Sequence, residues 1–417
     1  MARLTKYVSV TFTGGSNDGS TTNPYTTIED AVDDINGTTD VGPHYIILSE
    51  SSAATTTYSA SYGLPADSEV DPWIGSYNYG LIISGAHGQD IIIDGKGVTN
   101  KNAFLLYGSG SGVHNVTITG YGTHTTAGRG VIRGHYRPVD VRGVTIRGNS
   151  QSGITFFGDR YSQGGTSIID SCRVELSAQN NIWGIAAYSN FAIGHVIVNN
   201  CLVIVSGSAT ATPTKAIYIY NGSTSQSTAS FNTVVAKFDE TSHTDSGFGI
   251  KADRAENNIV SMSMPDDASR HSFISADVAT NNLYAGFNST NASTVGARRL
   301  SNDTSASFHA TELAYQRPAP VTLFNGPDPI FRSIYADWSI AAGSPALNAG
   351  TALSYLDLTT VDLSGTARSD PPDLGAFEFV SAAVAGYANT VKGVAAGSLG
   401  KVLGVDKADI SKIIGVE

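Results

Sequence analysis

The feature that most constrains this chain is a short strand pattern that recurs through its middle. Each copy is one small polar or turn-forming residue followed by a mostly apolar strand, and successive copies begin 25, 28, 28, 29, 32, 26 and 24 residues apart. The first residues of the copies are Asp90, Asn115, Gly143, Ser171, Asn200, Asn232, Asn258 and Asn282. No amphipathic helix of about ten residues fits between them, so the period excludes strand–helix–strand units and fits a coil of three short strands and three turns.

A second series of strands has nearly the same period. Ile154, Ile185, Ile217 and Ile250 are 31, 32 and 33 residues apart, and each follows a glycine or an alanine. Two independent series with one period predict stacked coils whose strands lie roughly 4.8 Å apart. We therefore predict an all-β protein, a single-stranded right-handed parallel β-helix with one coil for each of the eight copies.

The first series also indicates what the interior contains. Cys172 and Cys201 are the only cysteines, and each follows the turn residue of adjacent copies. We predict neighbouring buried thiols and no disulfide, because a free cysteine behaves as a small core residue. Asparagine tolerates a left-handed backbone, and stacked asparagines hydrogen-bond along the coil axis. The turn asparagines are therefore predicted to be structural.

The N-terminal residues are predicted to cap the solenoid. The sequence from Thr26 to Glu29 matches a capping box that opens a short amphipathic helix containing Ala31, Val32 and Ile35. A helix over the open end of a solenoid blocks edge-to-edge pairing of its strands.

The charge balance excludes some partners. The chain has 36 Asp and Glu against 25 Lys and Arg, for a net charge of -11. Such a surface repels phosphates and anionic lipids, so we expect no binding to nucleic acid. No apolar run approaches the roughly 20 residues of a membrane span, so we expect no membrane insertion. The residues after Met1 lack the apolar core of a signal peptide, and we expect a protein made in the cytoplasm and not exported by that route.

A series of motifs comes after the repeats. They are Asp328-Pro329-Ile330-Phe331, Ser344-Pro345-Ala346-Leu347-Asn348-Ala349-Gly350, Asp362, Gly365, Arg368 and Asp373-Leu374-Gly375-Ala376-Phe377-Glu378. With Asn23-Pro24-Tyr25-Thr26-Thr27-Ile28 near the start, they make residues 1–380 resemble the pectate-lyase-like family of right-handed β-helix proteins. The closing series is similar to a module of bacterial and phage members. The resemblance implies the fold and leaves activity open. From the residues themselves, Asp362, Arg368, Asp373 and Glu378 are predicted to pair and hold an irregular cap.

The last segment has a period of its own. Gly-Val pairs recur every 11 residues, with an aliphatic residue and a lysine at fixed positions between them. The residues of this pattern are Gly393, Val394, Leu399, Lys401, Gly404, Val405, Ile410, Lys412, Gly415 and Val416. Units this short cannot bury their apolar residues alone, so they are predicted to pack on a partner. The tail resembles the Gly-Val repeats at the ends of bacteriophage tail, fibre and other structural proteins.

Candidate binding residues accompany the second strand series. Phe157, Tyr188 and Tyr220 each lie three positions after an isoleucine, so they form an aromatic stripe on one face, which Lys251, Asp253 and Arg254 are expected to extend. A stripe of this kind contacts glycans, forms the seam of a homotrimer, or does neither. A basic cluster lies nearby in the sequence, at Arg133, His135, Arg137 and Arg142.

Catalytic chemistry is not indicated. The carboxylates near the stripe are Asp159 and Asp253, three coils or roughly 14 Å apart. A glycosidase pair lies about 5–9.5 Å apart, so we expect no catalytic residues. The sequence has no metal-ligand spacing and no cofactor motif.

These patterns divide the chain into four segments and favour one function. We predict an N-terminal cap in residues 1–75, coils in 76–325, a closing module in 326–380 and an attachment tail in 381–417. We predict a structural protein of a bacteriophage virion, such as a fibre, spike or capsid-decorating protein, bound to other virion proteins through its tail. Its other expected partners are further copies of itself, as a homotrimer, and host surface polysaccharide. The alternative is a polysaccharide lyase or glycoside hydrolase of a tailspike or secreted type.

Overall fold

The computed structural model describes most of the solenoid and parts of the C-terminal third of the chain. The described residues are 4–36, 44–49, 55–59, 73–74, 80–99, 102–106, 108–122, 130–135, 138–148, 152–157, 165–178, 182–189, 194–207, 214–221, 227–238, 247–264, 272–288, 313–316, 331–333, 337–353, 360–380, 401–402 and 405–406.

The elements alternate in a regular order. In chain order they are β1 (Thr5–Val8), α1 (Ile28–Asn36), β2 (His44–Leu48), β3 (Thr55–Ser59), β4 (Trp73–Ile74), β5 (Leu81–Gly85), β6 (Asp90–Val98), β7 (Phe104–Leu106), β8 (Ser111–His114), β9 (Thr117–Tyr121), β10 (Ile132–His135), β11 (Val139–Arg142), β12 (Thr145–Gly148), β13 (Ser152–Phe157), β14 (Thr166–Asp170), β15 (Arg173–Ala178), β16 (Trp183–Ser189), β17 (His195–Asn199), β18 (Leu202–Gly207), β19 (Lys215–Asn221), β20 (Ser227–Ser230), β21 (Thr233–Phe238), β22 (Phe248–Lys251), β23 (Arg254–Glu256), β24 (Ile259–Met264), β25 (Ser272–Ser275), β26 (Val278–Thr280), β27 (Leu283–Asn288), β28 (Leu313–Gln316), β29 (Phe331–Ser333), β30 (Asp337–Ile340), β31 (Lys401–Val402) and β32 (Val405–Asp406).

Three parallel sheets take up the strands in rotation. Sheet A has the order β1-β2-β5-β8-β11-β14-β17-β20-β23-β26. Sheet B has the order β28-β27-β24-β21-β18-β15-β12-β9-β6-β3, and sheet C has the order β25-β22-β19-β16-β13-β10-β7-β4. From β5 onward almost every third strand returns to the same sheet, so each coil adds one strand to each sheet. The chain is therefore the predicted right-handed parallel β-helix. Sheet C joins Ile154, Ile185, Ile217 and Ile250 in register, as the second series predicted.

The first series is correct through Asn200 and then slips by one residue. Sheet B pairs Leu202 with Thr233, which makes Phe231, not Asn232, the equivalent of Asn200. The residues at this turn position all have φ between 50° and 62°: Asn115, Gly143, Ser171, Asn200, Phe231, Asn257 and Asn281. A bulky aromatic residue rarely has positive φ, so the sequence pattern favours the asparagine that comes after it.

The next residue of each turn points into the solenoid and forms an internal ladder. Its members, in coil order, are Val116, Val144, Cys172, Cys201, Asn232, Asn258 and Asn282. The two cysteines are buried, free and adjacent, as predicted, and Leu202 N donates to Cys172 O at 2.9 Å. Burial raises the pKa of the Cys201 thiol well above its usual value, so the thiol stays protonated.

The asparagines of the ladder hydrogen-bond along the axis, as predicted. Asn258 Oδ1 accepts from Asn232 N at 2.9 Å and from Asn232 Nδ2 at 3.1 Å. Asn282 Oδ1 in turn accepts from Asn258 N at 3.0 Å and from Asn258 Nδ2 at 2.9 Å. Each amide nitrogen also donates to a backbone carbonyl of the preceding coil. The ladder therefore satisfies buried polar groups that would each cost about 1–3 kcal/mol if unpaired.

The helix α1 packs on the first coil, but its cap lies one residue beyond the predicted box. Thr27 Oγ1 accepts from Asp30 N at 3.1 Å, so the capping pair is Thr27 and Asp30 and not the predicted pair of Thr26 and Glu29. The apolar side of α1 is buried against β1 and β2 through Ile28, Ala31, Val32 and Ile35. Within the described residues no helix has the length and apolar character needed to span a bilayer.

Residues 337–353 and 360–380, here called the lateral segment, lie along the side of the solenoid. Arg368 Nη2 donates to Asn200 Oδ1, and Gly375 N donates to Asn257 O. On the next coil, Asn281 Nδ2 donates to Thr351 Oγ1. Apolar contacts join Ile259 and Leu283 to Ile340, Ala346 and Leu374. The segment predicted to cap the helix thus covers the bend between sheets A and B over several coils.

The predicted pairing within this segment is present in part. Arg368 Nη1 lies 3.4 Å from Glu378 Oε2, and both side chains are buried. Asp362 and Asp373 accept backbone N–H groups instead, from Glu378 at 2.7 Å and Phe379 at 2.6 Å. Burial raises the pKa of Asp373, although backbone donors lower it in part.

Candidate functional site

Sheet C presents a cluster of aromatic and lysine side chains on its outer side. In β19, Ile217 and Ile219 belong to the core, and the alternation of a strand places Tyr218 and Tyr220 on the opposite face. Adjacent strands add similar side chains in register. We call this cluster the aromatic–lysine surface, and its residues are Trp183, Tyr188, Lys215, Tyr218, Tyr220, Phe248 and Lys251.

The rings form a continuous contact network. Tyr188 and Tyr220 are stacked with centroids 5.5 Å apart, and Tyr218 and Tyr220 are 6.3 Å apart and nearly parallel. Trp183 and Phe248 flank Tyr218 at 6.1 and 5.9 Å. Aromatic pairs at such distances contribute about 0.5–1.5 kcal/mol beyond area burial, so the network is held in one arrangement.

Both lysines lie over the rings. Lys215 Nζ is 4.2 Å from the Tyr218 centroid and 5.2 Å from that of Trp183. Lys251 Nζ is 5.0 Å from the Tyr220 centroid and 5.7 Å from that of Tyr218. Cation–π contacts of about 0.5–1 kcal/mol each help to orient the ammonium groups.

The electrostatics of sheet C differ from those of the other two sheets. Within the strands that the structure describes for sheet C there is no Asp or Glu, while Arg133, His135, Lys215 and Lys251 are present. Sheets A and B carry acidic residues in their strands, at Asp140, Asp170, Glu256, Asp90, Asp94 and Glu175. Within the strands that the structure describes, sheet C is therefore the sheet that carries basic residues without acidic ones.

The three residues of the predicted aromatic stripe lie on adjacent strands of sheet C. Phe157, Tyr188 and Tyr220 are in register on β13, β16 and β19, and Lys251 lies beside the stripe. The side chain of Phe157 and the whole of Asp159 lie outside the described residues.

Asp253 and Arg254 were wrongly assigned to this face. Strand β22 ends at Lys251, and the chain then turns into sheet A, which holds Arg254. The Asp253 carboxylate accepts from Ser227 N at 2.7 Å and from Ser227 Oγ at 2.9 Å. Asp253 therefore ties the bend between sheets C and A to the preceding coil and is part of the scaffold.

The predicted basic cluster is divided by the fold. Arg133 and His135 lie on β10 of sheet C, Arg142 lies on β11 of sheet A, and Arg137 lies outside the described residues. Proximity in sequence misleads here because each turn of the coil sends the chain to a different sheet.

Sequence reasoning missed four members of the surface. Lys215, like Trp183 and Phe248, lies two positions before an isoleucine of the second series, and Tyr218 lies one position after. The isoleucine spacing therefore contained a signal for them, at two offsets that differ from the offset of the stripe.

A separate polar cluster lies on sheet A. Asp140 accepts from Arg142 Nε at 2.6 Å, and His114 Nε2 is 3.5 Å away. Burial acts to raise the pKa of Asp140, but the neighbouring His114 and the hydrogen-bonded Arg142 lower it overall. On the next coil, burial raises the pKa of Asp170, although Asn199 Nδ2 donates to it at 2.9 Å.

The tail residues are described only in part. Lys401 pairs with Asp406, and Val402 pairs with Val405, in an antiparallel ladder of β31 and β32. The other tail residues of the 11-residue pattern, namely Gly393, Val394, Leu399, Gly404, Ile410, Lys412, Gly415 and Val416, lie outside the described residues.

The sequence matches no protein-family model, and it matches no curated protein. Among solved structures, it is similar to the crystal structure of a pectate lyase with a TM-score of 0.41 and 12% sequence identity, over 91% of this chain and 97% of that chain. Among the residues that the structure describes, no three His, Cys, Asp or Glu side chains are placed to hold a metal ion.

Proposed function

We propose that this protein is a non-catalytic β-helical rod that binds polysaccharide chains through the aromatic–lysine surface. The observation that carries the proposal is the ring network of Tyr188, Tyr218 and Tyr220, ordered by mutual contacts on one face of the solenoid. Large, rigid aromatic side chains give contact area at low entropic cost. Successive coils offer similar groups at intervals of roughly 4.8 Å, which suits a ligand that is itself a repeating polymer.

The same surface is less suited to a homotrimer seam. Lysine is depleted at subunit interfaces, and Lys215 and Lys251 stand in the middle of the ring network. Identical copies packed by this face would bring ammonium groups of like charge together, which is unfavourable. We therefore assign the surface to a ligand, and self-association to another part of the chain.

The setting that we propose is a bacteriophage virion, with the protein as a fibre, spike or decoration protein that contacts host glycans. The support is the resemblance of the 11-residue Gly-Val pattern to repeats of phage structural proteins. In this proposal the tail in residues 381–417 binds other virion proteins and brings copies together, with a homotrimer as the expected assembly.

The tail assignment gives the first prediction. A chain ending at Phe379 is expected to remain folded, with an unchanged far-ultraviolet circular dichroism spectrum, but to become monomeric. A second variant keeps the full length of the chain and carries Val402→Asp and Val405→Asp, which place like charges on the paired strands β31 and β32. Light scattering measures the mass of all three proteins. An unchanged mass for the truncated chain contradicts the assignment.

Among the residues that the structure describes, Asp140 and Asp170 are the best candidates for catalytic residues of the enzyme alternative. Their pKa values are shifted in opposite directions, as an acid and a base require. Arg142 is bonded directly to Asp140, however, which favours a structural ion pair over a free base.

The second prediction tests binding and cleavage together. The double variant Tyr188→Ala and Tyr220→Ala is expected to bind its polysaccharide at least about tenfold more weakly, because truncating central aromatic residues costs about 1–2 kcal/mol or more. Tyr25→Ala is the matched control, since Tyr25 also lies beneath a lysine, Lys6, at 5.8 Å. Binding is measured on a panel of capsular, lipopolysaccharide and cell-wall glycans.

Each positive ligand is also assayed for new reducing ends and unsaturated sugars, and none is expected. Equal binding by the Tyr188/Tyr220 variant and the Tyr25 control would reject the proposed site. Cleavage that disappears in Asp140→Asn or Asp170→Asn would replace the proposal with the enzyme alternative.

A further inference from the structure

Two tyrosines of the aromatic–lysine surface are held face to face by the fold. Tyr188 and Tyr220 are Cα partners on β16 and β19, and their rings are stacked with centroids 5.5 Å apart and planes inclined by 19°. On the same two strands Ile185 pairs with Ile217, and both isoleucines are buried in the core. A slip of one residue would turn these isoleucines outward, so the core fixes the register that brings the two phenols together.

The pair is open to solvent and is bounded on both sides. Tyr188 and Tyr220 are both partly exposed, whereas Tyr218, whose ring centroid is 6.3 Å from that of Tyr220, is only 8% exposed. On the preceding coil the residue in register with Tyr188 is Phe157, which has no hydroxyl. On the following coil the ladder between β19 and β22 ends with the pair of Tyr218 and Lys251. A soluble oxidant therefore meets one pair of neighbouring phenols at this place.

Two phenols that are placed in this way can be joined by oxidation. Loss of one electron and the hydroxyl proton from each ring gives two tyrosyl radicals. Their unpaired electrons form a carbon–carbon bond between the ring positions next to the hydroxyls, and the hydrogens of those two carbons move to the oxygens as the rings become aromatic again. When hydrogen peroxide is the oxidant, the electrons and protons that leave the phenols reduce it to water, so that each peroxide molecule produces one link.

We propose that Tyr188 and Tyr220 are an oxidative modification site, at which a peroxidase with hydrogen peroxide joins them as dityrosine within one chain. A radical on either ring has its partner ring at 5.5 Å, whereas coupling between chains depends on an encounter. Well-oriented groups within one molecule reach effective concentrations of roughly 10⁵ M or more, far above that of a second chain. The proposal does not rest on the proposed function, because it requires the two rings and an oxidant but no glycan.

The test treats the full-length protein with a haem peroxidase and hydrogen peroxide, and mass spectrometry then identifies the cross-linked tryptic peptides. Trypsin places Tyr188 in the peptide 174–215 and Tyr220 in the peptide 216–237. Tyr188 is the only tyrosine of the first peptide, so a joined pair that has lost two hydrogens contains a link between Tyr188 and a residue of the second peptide. N-acetyltyrosine in the same reaction verifies that the peroxidase couples phenols.

Two variants identify the partner of Tyr188. Tyr220→Phe keeps the ring and removes the hydroxyl, and Tyr218→Phe is the matched control because it makes the same change at the neighbouring tyrosine of the same peptide. We expect the joined peptides from the unmodified sequence and from Tyr218→Phe, with a yield at least about tenfold lower from Tyr220→Phe. Circular dichroism verifies that each variant is folded.

Denaturing electrophoresis before digestion separates links within a chain from links between chains, because only the latter double the mass. Joined peptides from the band of monomer mass support the proposal, and joined peptides found only in the band of dimer mass overturn it. An equal yield from Tyr220→Phe assigns the link to Tyr218 and also overturns it. So does a reaction that couples N-acetyltyrosine but leaves the two peptides unlinked. The proposed function is judged separately, by glycan binding.

Discussion

Replacing Arg368 by methionine is expected to destabilise the lateral segment by about 3–5 kcal/mol, the usual cost of removing one partner of a buried ion pair. The Arg368 side chain is only 3% exposed, donates to Asn200 Oδ1 and Gly375 O at 2.5 and 3.0 Å, and lies 4.1 Å from the Phe231 ring centroid. Burial lowers the pKa of Arg368 to about 10, so the group is still charged at neutral pH. Its loss leaves Glu378 buried without its cation.

Hydrogen exchange of residues 337–380, together with thermal unfolding, measures this effect. The matched control is Arg147→Met, which removes an arginine paired with Glu175 at 3.2 Å but about half exposed. An exposed pair contributes at most about 1 kcal/mol, so the control should change little. If both variants exchange at the same rate, Arg368 is not the anchor of the lateral segment.

Replacing Asn258 by leucine is expected to lower the free energy of unfolding by about 4 kcal/mol. The change roughly preserves volume but removes the Oδ1 acceptor of Asn232 and the Nδ2 donor to Ala229 O and Asn282. Several buried polar groups are then left without partners, at about 1–3 kcal/mol each. Denaturant-induced unfolding gives the value directly.

Cys172→Val is the matched control for Asn258→Leu, because other coils already have valine at the same ladder position. Its expected cost is below about 1.5 kcal/mol, since the swap nearly conserves volume. Replacing Asn232, Asn258 and Asn282 together by valine should lower the free energy of unfolding by less than the sum of the three single replacements. The reason is that the effects of neighbouring residues in one hydrogen-bond network are not additive. A cost for Asn258→Leu no greater than that of the control would show that the ladder contributes little.

Much of the solenoid was predictable because its constraints are local and repeated. At seven successive turns that the structure describes, a residue with positive φ precedes a small or polar inward residue, and that requirement fixes a period in the sequence. The predicted positions slip by one at the last three turns, where Phe231, with φ of 51°, is followed by Asn232 and where Asn257 and Asn281 are each followed by a second asparagine. The cap of α1 shifted by one residue because threonine stands at both Thr26 and Thr27, and only geometry distinguishes them.

The site was less predictable, since its members come from different coils and from several offsets. The stripe could be inferred from one offset, whereas Trp183, Lys215 and Phe248 lie at another, two positions before the isoleucine. Asp253 was misplaced because no periodic residue in the sequence marks the end of a strand. The position of the lateral segment could not be predicted, since its contacts join residues as far apart as Asn200 and Arg368, separated by 168 positions.

The lateral segment also changes how the rod should open. In a solenoid whose coils touch only their neighbours, stability is a sum of adjacent contacts, and the coils fray one after another from an end. Here one segment contacts the successive turns at Asn200, Phe231, Asn257 and Asn281. Fraying from the C-terminal side must therefore break contacts of the lateral segment in addition to those between neighbouring coils. We expect the last coils to open as one cooperative unit, with a single hydrogen-exchange free energy in place of a gradient.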